Sequence, residues 1–166
     1  NGYIRVTSKK GKTLFQIFFP VTDVLPEAPE PDRIYTLSDY SGNNETILVV
    51  DDVASQRKIT SNMLRRLGYQ AAVVSSGEEA IVFIRNNKVD LVVLDMIMDP
   101  GISGLATFKE MKILDPDIRA VIASGYSKTN DVEKAQKLGV VPFIKKPYSL
   151  ERLGFAIKEE LHKRKS

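Results

Sequence analysis

The feature that most constrains this chain is a fivefold alternation of short apolar runs and helical stripes between residues 45 and 165. The run Leu91–Leu94 has the length and continuous apolarity of a strand buried on both faces. The stretch 54–67 instead places its apolar residues at helical spacing and stops at Gly68. Repeated units of this kind predict an α/β fold: a five-stranded, doubly wound parallel sheet covered by helices on both faces.

The individual elements follow from the same patterns. The predicted strands cover residues 46–50, 70–74, 91–94, 119–123 and 140–144. The predicted helices cover residues 54–67, a segment opened by the capping box 76–79, a segment around 105–111, and residues 131–138 and 150–161. Pro142 lies inside the last predicted strand, which places that strand at an edge of the sheet.

Two further zones precede the alternating region. Residues 3–7 and 13–19 are strand-like and are joined by a polar loop, which predicts a β-hairpin over residues 1–20. An isolated hairpin is marginal in water, so its apolar face needs a partner. Residues 21–44 carry several prolines and end in a polar string, as expected for a linker. The α/β domain is therefore predicted over residues 45–166.

Composition excludes several kinds of site and partner. The chain has no cysteine, which rules out disulfides, thiolate zinc sites and a cysteine nucleophile. No apolar run reaches the roughly 18 residues of a membrane helix. The net charge of +3 is small, and the basic clusters at the two ends are typical of solvated tails. We expect neither nucleic-acid binding nor membrane contact by this stretch.

Polar residues follow four of the predicted strands at their carboxyl ends: Asp51, Asp52, Asp95, Ser124 and Lys146. Parallel sheets gather such residues at one edge. Three neighbouring carboxylates repel one another unless a proton or a cation neutralises them, and hard oxygen ligands suit Mg²⁺. With a lysine nearby, one carboxylate could attack a phosphoryl group and form an aspartyl phosphate, to which Ser124 could donate a hydrogen bond.

The motifs ILVVDD (47–52), LVVLD (91–95), IASG (122–125) and FIKKP (143–147) occur in this order and spacing. In these motifs the chain resembles the receiver domain of two-component response regulators. The resemblance implies a flavodoxin-like sheet with strand order 2-1-3-4-5. The site residues it implies are Asp95 as phosphoacceptor, Asp51, Asp52, Asp95 and the backbone carbonyl of Ile97 as Mg²⁺ ligands, Lys146 as phosphate-binding lysine, and Ser124 and Phe143 as switch residues.

One departure from the family pattern lies in the loop after Asp95. The family has proline four residues and glycine eight residues after the acceptor, whereas Pro100 and Gly104 lie five and nine residues after it. One residue is therefore added near Met98 and Asp99. The addition brings a fourth acid close to the site, and we interpret Asp99 as a solvated turn residue.

The first zone has a resemblance of its own. The sequence GYI followed by GKTLFQIFFP (11–20) is similar to the closing strands of a histidine-kinase ATP-binding domain. Together the two resemblances imply the carboxyl-terminal end of a hybrid sensor kinase, cut inside that domain. They imply a cytoplasmic location, a parent protein that can be membrane-anchored, and a histidine kinase or histidine phosphotransfer domain as partner. The implied activity of this stretch is at most self-phosphorylation and autodephosphorylation, and an oligomer is possible.

Three alternatives remain open. A pseudo-receiver that acts only as an interaction module would not need the acid set. A phosphatase of the haloacid-dehalogenase type would need a second Asp where Ile97 stands. A DNA-binding regulator would need an effector domain after the last helix. If the chain is instead a phosphorylatable receiver, Ile97 and Tyr126 flank the path of an attacking water, which predicts a long-lived phosphoryl form.

Overall fold

The computed structural model describes residues 2–20, 36–125 and 142–163. The chain divides into two compact units, Asn1–Ile34 and Tyr35–Ser166. The predicted helix over 131–138, Tyr126 and most of the predicted linker lie outside the described residues. In the described part of the chain, no helix is long and apolar enough to cross a membrane.

The first unit contains an antiparallel hairpin of β1 (Tyr3–Lys9) and β2 (Lys12–Phe18). Its turn is tighter than the predicted five-residue loop, because Gly11 adopts a φ of +81° and only two residues separate the strands. The rings of Tyr3 and Phe18 stack with centroids 4.5 Å apart. All residues of both strands are exposed.

The second unit is built on a five-stranded parallel sheet. Its strands are β3 (Thr46–Val50), β4 (Gln70–Val74), β5 (Leu91–Asp95), β6 (Ala120–Ser124) and β7 (Phe143–Lys145). They lie in the order β4-β3-β5-β6-β7. Numbered within this unit, the order is 2-1-3-4-5, which confirms the predicted flavodoxin-like sheet. β7 is an edge strand, as Pro142 predicted, although the strand begins one residue after the proline.

Four α-helices of this unit lie within the described ranges: α1 (Ala54–Arg66), α2 (Gly77–Asn86), α3 (Gly104–Leu114) and α4 (Leu150–His162). Each of the last three begins at a serine whose hydroxyl accepts a hydrogen bond from a first-turn N–H. The capping serine of α2 is Ser76, as predicted. The Glu79 carboxylate, however, accepts from the N–H of Ser75 instead of from the capping residue itself.

The helices cover both faces of the sheet, which confirms the doubly wound arrangement. On one face, Leu48 and Val50 of β3 belong to a core with residues of α2 and α3. On the other, Ile47 and Val49 belong to a core with residues of α1 and α4. Consecutive residues of one strand are thus buried against opposite helical layers, which is why the strands are apolar throughout.

Residues Thr36–Asn44, which we call the strap, pack onto this unit although sequence patterns assign them to a linker. Tyr40 is buried, and its ring lies 5.0 Å from that of Phe155 on α4. Gly154 permits this approach, because a Cβ there would lie 2.8 Å from atoms of Tyr40. The N–H of Gly42 donates to the carbonyl of Leu67 at 2.8 Å. The strap therefore joins α4 to the end of α1.

Candidate functional site

The first part of the site is the acid pair that follows β3. Asp51 is buried, whereas Asp52 is more exposed. The Asp51 carboxylate accepts a hydrogen bond from the Val53 N–H at 2.9 Å through Oδ1. Its second oxygen, Oδ2, remains directed toward the centre of the site, where it meets Lys146.

Asp95 reaches the same place from the neighbouring strand. Val50 pairs with Leu94 in the parallel register of β3 and β5, so Asp51 and Asp95 leave the sheet at the same level. Carboxylate oxygens of Asp51, Asp52 and Asp95 lie within 4.8 Å of one another. The structure thus brings an adjacent pair of acids together with a third that lies more than forty residues later in the sequence.

Lys146 lies directly after β7 and bridges two of these acids. Its Nζ donates to Asp51 Oδ2 and to Asp95 Oδ2, each at 2.6 Å. Burial lowers the pKa of the Lys146 ammonium, but the hydrogen bonds to Asp51 and Asp95 outweigh it, and the pKa is raised above its ordinary value. The ammonium is therefore held charged against the carboxylates. The Lys146–Pro147 peptide bond that follows is cis.

Ser124 and Phe143, the two residues expected to act as switches, lie on β6 and β7. Ser124 ends β6 and is fully buried, and its carbonyl accepts from the Lys146 N–H at 2.9 Å. Phe143 is partly buried and packs against the core formed with α2 and α3. Ser124 thus lies beside Lys146, while Phe143 packs on the face of the sheet that α2 and α3 cover.

The loop after Asp95 carries the added residue. The Ile97 N–H donates to Asp95 Oδ1 at 3.2 Å, and the Ile97 side chain is 53% exposed. The side chain of Met98 is buried, and that of Asp99 points to solvent. Asp99 does not belong to the acid cluster found among the described residues, but its N–H donates to Asp52 Oδ2 at 3.4 Å.

Sequence reasoning missed one side chain at the site, Arg57, and did not separate a role for a second, Tyr148, from packing. Arg57 in the first turn of α1 donates from Nη1 to the carbonyls of Asp51 and Asp52, at 2.6 and 2.8 Å. Tyr148 hydrogen-bonds the Thr60 hydroxyl at 2.7 Å, which ties the loop after Lys146 to α1. The one available signal for Arg57 was its position five residues after Asp52, since a first-turn side chain can fold back over its helix terminus.

The donor set fits a hard divalent cation. Three clustered carboxylates face one ammonium, so the cluster retains negative charge after Lys146 is counted. Carboxylate oxygens are the ligands that Mg²⁺ prefers, and the greater exposure of Asp52 leaves room for the water that Mg²⁺ usually keeps. Asp51, Asp52 and Asp95 are the residues able to hold it.

Comparison with known proteins gives a consistent result. The family model described as "Response regulator receiver domain" matches residues 47–158. Sporulation initiation phosphotransferase F of Bacillus subtilis is 31% identical over 71% of this chain and 94% of its own length. Sensor kinase CckA of Brucella abortus is 31% identical over 98% of this chain, but the match spans 18% of the kinase. Autoinducer 1 sensor kinase/phosphatase LuxN of Vibrio campbellii is 30% identical over 98% of this chain and 21% of its own length.

Solved structures show the same fold. A CheY-like receiver domain protein from Methanospirillum hungatei superposes with a TM-score of 0.67 at 24% identity, over 71% of this chain and 94% of that one. The response regulator TrrA from Thermotoga maritima, solved in complex with Mg²⁺-BeF, gives a TM-score of 0.64 at 29% identity. That match covers 69% of this chain and 97% of TrrA.

Proposed function

This chain belongs to the response regulator receiver domain family, and on this premise we propose that it is a phosphoacceptor phosphorylated on Asp95 by transfer from a phosphohistidine, with Mg²⁺ as cofactor. The family itself establishes a role in two-component signal transduction. The roles of individual residues are our proposal and rest on the geometry of the site.

The observation that carries the proposal is the pair of 2.6 Å contacts that Lys146 makes with Asp51 and Asp95. The lysine is placed so that an ammonium hydrogen can contact an oxygen of a phosphoryl group on Asp95. A buried carboxylate beside a fixed cation, with a second acid for the metal, is the arrangement that aspartyl phosphorylation needs.

In the proposed step, a carboxylate oxygen of Asp95 attacks the phosphorus atom of the phosphohistidine. The new O–P bond forms as the P–N bond breaks, and the imidazole nitrogen keeps the electron pair and takes up a proton. Asp51, Asp52, Asp95 and the Ile97 carbonyl would hold Mg²⁺, which when bound offsets the negative charge of the carboxylates and the phosphoryl oxygens. The complex of Thermotoga maritima TrrA with Mg²⁺-BeF supports this choice of cation.

The phosphoryl group would signal through Ser124. Its position at the end of β6, directly beside Lys146, allows the hydroxyl to donate to a phosphoryl oxygen on Asp95. Such a contact would draw the start of the following loop toward the site, and the partly buried Phe143 on β7 would repack in response.

The parent protein is proposed to be a hybrid histidine kinase. The alignments with the kinases CckA and LuxN run through 98% of this chain and therefore include the hairpin as well as the receiver. We propose that residues 1–20 close a kinase ATP-binding domain and that residues 21–44 connect it to the receiver of residues 45–166, with the strap as the part of this connection that packs onto the receiver. The partner in phosphotransfer would be a kinase histidine or a histidine phosphotransfer domain, in the cytoplasm.

The test is Mg²⁺-dependent labelling of the purified chain with acetyl phosphate, followed by mass mapping of the modified residue. We expect one phosphoryl group on Asp95, loss of labelling in Asp95→Asn, and retained labelling in Asp99→Asn, since the Asp99 side chain is exposed and outside the acid cluster. Absence of label in the wild-type chain at saturating Mg²⁺ would instead establish a pseudo-receiver.

The same preparation tests the proposed persistence of the phosphoryl group. Ile97 exposes 53% of its surface next to the acceptor, where an apolar side chain disfavours an attacking water. We expect decay over minutes or longer after the phosphodonor is removed. Decay within seconds in Mg²⁺ would contradict this.

A further inference from the structure

We infer that Arg57 is a positioning residue that holds the backbone of the acid pair and thereby sets the Mg²⁺ affinity of the site. The inference rests on the proposed function, because it concerns the cation that the three acids would bind. It assigns to α1 a direct role in the site, beyond covering one face of the sheet.

The contacts of Arg57 are short and specific. A single nitrogen, Nη1, donates to the carbonyl of Asp51 at 2.6 Å and to that of Asp52 at 2.8 Å. The side chain is partly buried in the first turn of α1. It therefore folds back across the start of its own helix and clamps both residues of the turn that carries the acids.

This clamp matters most for Asp52. The Asp52 carboxylate accepts from the Asp99 N–H at 3.4 Å, which is a weak restraint, whereas the carbonyl of the same residue is held at 2.8 Å. Asp51 is fixed differently, since its two carboxylate oxygens accept from Val53 and Lys146 at 2.9 and 2.6 Å. The orientation of Asp52 thus depends on its backbone, and its backbone depends on Arg57.

The two effects of Arg57 on a bound cation have opposite signs. Its positive charge near the site opposes Mg²⁺, whereas its hydrogen bonds hold the ligands in place and favour Mg²⁺. The guanidinium is rigid and weakly hydrated, whereas a Lys ammonium is strongly hydrated and sits on a flexible stem, so Lys at this position would keep the charge but lose the geometry. A lysine variant therefore separates the two effects.

The experiment is calorimetric titration of Mg²⁺ into the wild-type chain and into Arg57→Gln, Arg57→Lys and Arg66→Gln. Arg66 is the matched control, because it is an exposed arginine near the end of the same helix. Thermal unfolding of each variant in EDTA shows whether the fold is intact before metal is added.

We expect Arg57→Gln to bind Mg²⁺ about tenfold more weakly, as is typical when a group that orients metal ligands is removed. Arg57→Lys should also bind more weakly although its charge is retained, and Arg66→Gln should match the wild type. Unchanged or tighter binding by Arg57→Gln, or wild-type affinity in Arg57→Lys, would overturn the inference.

The proposed function is tested separately by the wild-type chain. If the wild type binds Mg²⁺ and is labelled on Asp95 while the Arg57 variants keep its affinity, the positioning role alone fails. If the wild type binds no Mg²⁺, both proposals fail. A drop in affinity that is accompanied by unfolding in EDTA would also count against positioning, because it would show that Arg57 acts through general stability.

Discussion

Lys146 shows how much of this site depends on one side chain. Its ammonium is the cation that bridges Asp51 and Asp95, and its side chain is 15% exposed. Removing it would leave neighbouring carboxylates in mutual repulsion with less solvent screening than at the surface.

We predict that Lys146→Met lowers the free energy of unfolding in EDTA by about 2 kcal/mol. This is less than the roughly 3–5 kcal/mol expected for one partner of a fully buried ion pair, because solvent reaches part of the site. Urea titration measures the change. Lys145→Met is the control, since Lys145 is exposed on β7 and should have little effect. Equal losses in the two variants would contradict the bridging role.

Tyr69 is a second residue whose burial has a measurable consequence. It is 3% exposed, and within the described part of the chain its hydroxyl has no hydrogen-bond partner. Burial, with a smaller contribution from Glu45, raises the pKa of Tyr69 from 10.0 to about 12. Below pH 10 the folded and unfolded chains both keep the proton, so the shift has no effect on stability there. Between pH 10 and about pH 12, Tyr69 ionises in the unfolded chain but not in the folded one. The free energy of unfolding therefore falls as the pH rises through this range.

We predict that Tyr69→Phe is as stable as the wild type or about 1 kcal/mol more stable at pH 7, because an unpaired buried hydroxyl is removed. Above pH 10 the free energy of unfolding should fall less for the variant than for the wild type, and the difference between them should reach about 2–3 kcal/mol near pH 12. Urea unfolding at several pH values measures both effects.

Tyr148→Phe is the contrasting variant, because the Tyr148 hydroxyl bonds Thr60. The free energy of unfolding of this variant should be about 1 kcal/mol lower than that of the wild type at pH 7. A Tyr69→Phe variant that loses as much would show that the Tyr69 hydroxyl has a stabilising partner.

At the scale of elements, local patterns predicted most of the second unit correctly. The strands β3 to β6 and helices α1 to α4 lie within a few residues of their expected positions, because alternating burial against two helical layers leaves a clear signature. The strap was missed, since its composition is polar and its one buried anchor, Tyr40, belongs to no periodic pattern. Its partner Gly154 is a glycine inside a helix, which is the only sequence hint of a close approach there.

We predict that Tyr40→Ala lowers the free energy of unfolding by about 2–4 kcal/mol, because it empties a packed site against Phe155. Leu37→Ala is the control within the strap. Leu37 is 52% exposed, so Leu37→Ala should change the free energy of unfolding by no more than about 0.5 kcal/mol. Chemical denaturation followed by circular dichroism gives both values, and a Tyr40→Ala variant that matches Leu37→Ala would show that the strap does not dock.

At the scale of the whole molecule, the two units differ in how much of their apolar surface they bury. The second unit has two cores of its own, whereas the hairpin exposes large apolar side chains such as Phe15 and Phe19. A hairpin of this kind needs further structure to cover it, which agrees with the proposed kinase origin. The residues of both cores and of the candidate site all belong to the second unit.

We predict that a chain beginning at residue 36 keeps the unfolding midpoint and Asp95 labelling of the full chain, because it retains the strap, the sheet and the site. A chain beginning at residue 45 lacks Tyr40 and should be destabilised at least as much as Tyr40→Ala. Thermal unfolding of the two truncated chains distinguishes them. Equal stability would place the start of the structural unit at residue 45.

The sequence by itself determined the class of fold and the positions from which the site is built. Apolar periodicity defines strands and helices locally, and parallel strands of one sheet must deliver Asp52, Asp95 and Lys146 to the same edge. Only the tertiary structure decided which groups touch. The bridging contacts of Lys146 and the docking of Tyr40 join segments that no local pattern relates, because they depend on the packing of elements that are distant in sequence. The contacts of Arg57 are local in sequence, but they depend on the direction in which its side chain folds back over the start of α1.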